Sequence, residues 1–217
     1  MSADGRSLRV ATSGPQAGAG AGSAVATGEG IESGNGIETG HGIADGRNGH
    51  RVPLDHKELR GVLGRFATGI TVVTAVGRAG PHGMTANSFT SVSLDPPLIL
   101  VCVKHTAVMH TALLEAGSFA VSILSAGQEH TARYFADRSR PRGEHEFDMA
   151  GSEPGPRSGA PILTGALAWL ECELAAVHEG GDHSIFLGEV TNAGRDESVG
   201  ALLFYSGGFH RLETGDI

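Results

Sequence analysis

The sequence predicts a mainly β domain with inserted helices behind a glycine-rich tail, and three observations carry that reading. Short Thr-, Val- and Leu-rich runs recur between Ile70 and Tyr205, separated by Gly- and Pro-rich turn steps. Helical stripes appear in only three places among them. The first 50 residues carry almost no aromatic or large apolar side chains, and much of the chain's unusually high total of 34 glycines lies there. Roughly six strands with helices between them indicate an antiparallel barrel with helical decoration, not a parallel βαβ sheet.

The tail, residues 1–50, contains a hexad repeat that starts at Gly30: Gly-Ile-Glu-Ser-Gly-Asn, Gly-Ile-Glu-Thr-Gly-His, then Gly-Ile-Ala-Asp-Gly-Arg. A β-helix needs many more such turns to bury a core. One isoleucine in each glycine-flanked hexad cannot offset the entropy of ordering the chain, so disorder is expected. The folded domain is assigned to residues 51–217.

Its first element is a helix. Asp55 with Glu58 forms a capping box, Leu54 and Leu59 the staple outside it, and Leu59, Val62, Leu63 and Phe66 an apolar stripe. Gly69 is placed to close it. Strands follow at 70–76, 83–92 and 98–103, with Asp95-Pro96-Pro97 forcing an extended corner before the last. A helix capped by Thr106 runs to Ala116 and stops at Gly117. A strand at 119–124 leads to a second capping box, Ser125 with Gln128, and a helix through Phe135. Residues 137–161 lose periodicity and read as a long surface loop. Strands return at 166–177, 184–190 and 202–205.

Bulk properties exclude several functions. A net charge of −8 argues against a nucleic-acid partner, which needs a basic face. It suits a cytoplasmic protein. No apolar stretch approaches the roughly 20 residues of a membrane span, and no secretory leader is expected. Cys102 and Cys172 have neither disulfide-framework nor zinc spacing and read as buried small hydrophobes. A G-x-S-x-G elbow, a P-loop and a G-x-G-x-x-G fingerprint are all missing, which argues against a Rossmann dehydrogenase.

Two segments could carry chemistry. In Gly83-Met84-Thr85-Ala86-Asn87-Ser88-Phe89-Thr90-Ser91-Val92-Ser93, a continuous strand would put Thr85, Asn87, Phe89, Ser91 and Ser93 on one face. Such a row of small donors either receives a phosphate and polyol chain or is simply a solvated edge strand. The second segment is His178-Glu179-Gly180-Gly181-Asp182-His183. Its histidines are five apart and its glycines oppose helix, so a zinc-helix reading fails and no metal site is expected. A bend that presents His183 at the start of the next strand remains, either as a ligand contact or as an ordinary turn. The basic cluster Arg133, Arg138, Arg140, Arg142 lies at a helix C-terminus, where the macrodipole alone favours cations. One or two of these could also hold a nucleotide phosphate.

Taken together, residues 66–74, 83–88, Ser91 to Leu98 and Gly181-Asp182-His183 resemble, in order and spacing, the flavin reductase-like domain family over about residues 55–212. These are the reductase components of two-component flavin-dependent monooxygenases. The resemblance implies an FMN-binding split barrel, usually a homodimer, transferring a hydride from NADH or NADPH to FMN or FAD. It places the flavin cradle on Thr85, Asn87, Ser88 and Ser91, with Cys102, Val103 and Lys104 beside them. It places the nicotinamide contact on Gly181, Asp182 and His183, with His183 as the residue expected to position the ring. Where members commonly carry Asp-Lys-Phe, this chain reads His145-Glu146-Phe147, so Arg138 or Arg140 is expected to supply the missing cation. Alternatives from other classes are a non-catalytic flavin- or haem-binding protein and a self-contained flavoenzyme.

Overall fold

The computed structural model describes residues 43–44, 51–52, 54–196 and 200–212. A two-residue pair, β1 (Ile43–Ala44) with β2 (Arg51–Val52), precedes the domain. The rest of the expected disordered tail lies outside the described residues.

Helix α1 (His56–Leu63) starts where the sequence places it, with the Lys57 N–H donating to Asp55 Oδ1 at 2.9 Å. It ends five residues before Gly69, at Gly64, whose N–H closes the last turn on Arg60 O. The apolar stripe packs little: Leu59 is half-buried, Val62, Leu63 and Phe66 are exposed and α1 fully buries none of its residues, so little packing carries the helix past Gly64. Gly69 instead falls in β3 (Thr68–Gly69).

The central element is a seven-stranded antiparallel sheet. In chain order its strands are β4 (Thr71–Gly77), β5 (Gly80–Ala86), β6 (Phe89–Leu94), β7 (Pro97–Lys104), β8 (Ser118–Ile123), β11 (Ala168–Gly180) and β12 (His183–Arg195). In space the order is β5-β4-β8-β11-β12-β7-β6. The edge strands β5 and β6 are joined only by Asn87 and Ser88. A flat sheet would hold its two edges about 29 Å apart, six spacings of about 4.8 Å. The link between Ala86 and Phe89 spans at most about 11 Å. The sheet therefore curls until its edges face each other, and because no ladder joins β5 to β6 the barrel stays split. This break also corrects the expected single strand over 83–92: the chain changes sheet edges at Asn87-Ser88, so Thr85 and Asn87 do not share a strand face with Ser91 and Ser93.

The barrel core holds Val73, Val101, Val103, Phe119, Val121 and Phe186. Helix α2 (Val108–Ala116) adds Met109 and Leu113. It stops as expected at Gly117, which has φ 64°, a conformation glycine adopts without cost. Its N-cap is Ala107, not Thr106, and no side chain caps it. Strand β4 carries no alternation of apolar and polar residues because both faces of Thr71 to Ala75 are buried. Val72 belongs to a second cluster with Ile70, Leu124, Phe135 and Leu202, under helix α3 (Glu129–Ala136). Gln128 Oε1 accepts from the Ser125 N–H, one half of the expected capping box, but the Ser125 hydroxyl donates to Gln128 Oε1 and Gly165 O, and the N-cap is Gln128. The helix starts later than expected because Ser125 also bridges to Ala201.

The segment 137–161 is not a plain surface loop. It contains a 3₁₀ turn at Gly143–His145 and strand β9 (Ser152–Pro154), which pairs with β10 (Pro161–Leu163). Two buried carboxylates hold it down. Glu171 accepts from the Arg157 and Ser158 N–H groups, the Ser158 hydroxyl and Asn192 at 2.8–2.9 Å. Glu146 is described below. Finally, β13 (Ala201–Tyr205) forms a three-stranded sheet with β3 and β14 (Gly208–Leu212), the last a strand the sequence reading lacks. Among the described residues no helix is long and apolar enough to cross a membrane.

Candidate functional site

The long β11–β12 hairpin turns through Gly181 and Asp182, and Gly181 takes φ +82°, which only glycine adopts readily. This delivers His183 as the first residue of β12, 7% exposed. Its Nδ1 lies 2.7 Å from Asp182 Oδ1, which fixes the ring. Among the described residues, the buried side-chain polar atoms without a partner are Thr68 Oγ1, Asp182 Oδ2 and His183 Nε2. Two of these three lie in one turn. Leaving a buried polar atom unmatched costs about 1–3 kcal/mol, so such a pair calls for an explanation.

Register brings this turn to the other predicted segment. In the β12–β7 ladder His183 pairs with Lys104, Ser184 with Val103 and Ile185 with Cys102. Residues separated by about 80 positions are thus direct neighbours.

Lys104 opens onto a cleft of about 160 Å³ lined also by Met84, Thr85, Thr106, Val108, Phe135, Arg138 and Arg142. With Arg140, which also lines it, four Lys and Arg residues border this cleft beside the first turn of α2, whose N-terminus has no side-chain cap. Free N–H groups and the helix dipole at such an end favour an anion.

The predicted cradle residues separate into different roles. Thr85 lines the cleft, but its hydroxyl donates to Ala132 O at 2.7 Å. Ser88 Oγ donates to Cys102 O at 3.0 Å and accepts from Cys102 N at 3.2 Å, tying the start of β6 to β7. Val103 is fully buried in the barrel core, so its side chain offers nothing to a ligand. Cys102 is half-buried on the opposite face, and burial pushes its thiol pKa up. Asn87 is half-buried at the seam and Ser91 is exposed.

Arg140 lines the same cleft but is also bonded to a buried carboxylate. Its Nε and Nη2 donate to Glu146 Oε1 at 3.1 and 2.8 Å, and Nη2 also donates to Gly83 O. Glu146, fully buried, further accepts from Gly83 N–H at 3.1 Å and pairs with His82 Nδ1 at 2.9 Å. Burial opposes ionisation of this carboxyl, but the bonds from His82, Gly83 and Arg140 outweigh it and hold its pKa below the usual value. The network fastens segment 137–147 behind β5 and leaves Arg138 and Arg142 at the cleft. Sequence reasoning missed the roles of Glu146 and His82, and it gave α2 a Thr106 cap where the N-cap is the uncapped Ala107.

A family profile described as a flavin reductase-like domain matches residues 63–213. The chain belongs to that family. It is 55% identical over 160 residues to an NADH-dependent FAD reductase of Streptomyces globisporus, covering 74% of this chain and 87% of the relative. Among solved structures it is similar to BorF, the flavin reductase component of a bacterial two-component tryptophan halogenase, at 55% identity and TM-score 0.70 over 73% of this chain and 99% of that one. It also resembles the S. globisporus NADH:FAD oxidoreductase SgcE6 in complex with NAD and FAD fragments, at 52% identity and TM-score 0.69, over 73% and 93% of the two chains. The reductase subunit HsaB of a flavin-dependent monooxygenase from Rhodococcus jostii is 36% identical over 74% of this chain and 80% of its own length.

Proposed function

We propose that this protein is an NADH-dependent flavin reductase that hands reduced flavin to a separate flavin-dependent monooxygenase or halogenase. The observation that supports this most is the juxtaposition of two unmatched buried atoms, His183 Nε2 and Asp182 Oδ2, with Lys104 of the cationic cleft. A bound flavin accepts the hydride that the reduced nicotinamide carries, so the protein's share is binding and orientation. Lys104, Arg138, Arg142 and the α2 N-terminus hold the flavin phosphates, where guanidinium forks and helix N–H groups are suited to the task. Asn87, Ser88, Ser91 and Cys102 border the ring along the split between the barrel edges. Gly181, Asp182 and His183 receive the nicotinamide, with His183 Nε2 bonding its carboxamide.

FAD is the favoured flavin, because three cations and a helix end match a diphosphate better than a single phosphate. NADH is the favoured reductant by similarity to the S. globisporus enzyme. A cytoplasmic homodimer fits the surface. On the face of β7 and β12 opposite the core, Leu98, Leu100, Ile185 and Leu187 are only half-buried, and Val62 and Phe66 of the α1 region stand exposed.

Mixing the protein with NADH and FAD and following loss of the nicotinamide band tests the activity. Turnover is expected only when both are present, and no NADH oxidation with any flavin would overturn the proposal. In the His183→Ala variant, KM for NADH is expected to rise about fivefold or more, the size of one lost hydrogen bond. Unchanged kinetics would remove His183 from the site.

A further inference from the structure

We propose that His110 is a positioning residue: through Ser184 it fixes the Gly181–His183 turn relative to the cationic cleft. This rests on the reading of that turn as the nicotinamide site.

One short segment serves both places. Lys104, Thr106, Ala107, Val108 and Met109 line the cleft. The two histidines of the same segment grip the turn on either side of His183. The His105 N–H donates to Asp182 O at 3.1 Å. His110 Nε2 lies 2.9 Å from the oxygen of Ser184, the residue that follows His183 and is 2% exposed.

The His110 ring is held in place by its neighbours. It packs edge-on against His105 at 5.3 Å and against Phe186 at 5.1 Å between centroids. His105 Nε2 in turn reaches Glu179 Oε2 of β11 at 3.5 Å. The groups facing His110 are therefore His105 from its own segment, Glu179 from β11, and Ser184 and Phe186 from β12. An aliphatic residue at position 110 would fill the space against Phe186, but only a polar one can tie α2 to the Ser184 hydroxyl of β12, next to His183. Burial and the adjacent His105 lower the His110 pKa, against the pull of Glu179, and so favour the neutral ring. One proton shared between Nε2 and the Ser184 hydroxyl then completes the bond.

Three variants, Ser184→Ala, His110→Ala and the two combined, test this, with His183→Ala run in parallel. Each single variant is expected to raise KM for NADH about three- to tenfold, while KM for FAD stays within about twofold. The combination should be no worse than the more severe single change, because both remove the same bond. Equal rises in both KM values would mean general loosening and would overturn the proposal. So would normal NADH kinetics in Ser184→Ala alongside an impaired His183→Ala. An unimpaired His183→Ala would instead remove the nicotinamide reading itself, and this inference with it.

Discussion

Replacing Glu146 with alanine should be among the most damaging single changes outside the binding site. The carboxylate is fully buried and accepts from Gly83 N–H, His82 Nδ1 and the Nε and Nη2 of Arg140, all within 3.1 Å. Without it, Arg140 keeps only the carbonyls of Asp137 and Gly83 and loses its hydrogen-bonded counter-charge. Removing one partner of a buried ion pair costs about 3–5 kcal/mol. Because both side chains lie at most 5% exposed, solvent screening does not reduce that figure. A domain of this kind has about 5–15 kcal/mol in total, so the loss is roughly a fifth or more of its stability. Urea titration measures it directly: with a slope of about 2 kcal/mol per molar, the midpoint should fall by about 1.5–2.5 M. Glu146→Gln keeps the shape and one strong acceptor and should lose about 1–3 kcal/mol. A loss below about 1 kcal/mol in Glu146→Ala would refute the claim that this network fastens segment 137–147 to β5.

Two further predictions concern the frame around the site. Glu146 and Glu171 both have pKa values lowered from 4.5, so the stability they contribute is full above that value and lost as pH falls below it. Urea midpoints measured from pH 7 to 3 should therefore hold steady and then drop below about pH 4.5, less steeply in Glu146→Gln. A midpoint that stays flat to pH 3 would contradict this. Gly188→Ala places a methyl 2.5 Å from Phe119 Cζ and 2.9 Å from Cys172 Cβ. Overpacking of that kind costs about 1–3 kcal/mol, so thermal unfolding should shift down by several degrees. An unchanged Tm would mean that the barrel wall yields there.

Much of this fold was legible because local signals and tertiary packing agree. Asp55, Gly117, the Ser125–Gln128 box and the Pro96-Pro97 corner act through nearest neighbours, and each marks a real boundary or its immediate vicinity. The failures are places where distant contacts decide. Helix α1 stops at Gly64 because little packs on Val62 and Phe66. The strand expected over 83–92 breaks at Asn87 because the sheet must curl. Segment 137–161 looks like a loop because its order comes from Glu146 and Glu171, each bonded to groups far away in sequence. The site shows the same division. Gly181-Asp182-His183 and Lys104 could be named from sequence, but their adjacency depends on the β12–β7 register. The polar run at 85–91 also serves the frame, since the Thr85 and Ser88 hydroxyls donate to backbone carbonyls of the protein itself.

A crystal structure of the protein with FAD and NAD bound together tests the central claim most directly. It should show the flavin phosphates against Lys104, Arg138 and Arg142, and the nicotinamide carboxamide bonded to His183 Nε2 or Asp182 Oδ2. A nicotinamide lodged away from the β11–β12 turn, with those two atoms still unmatched, would contradict it.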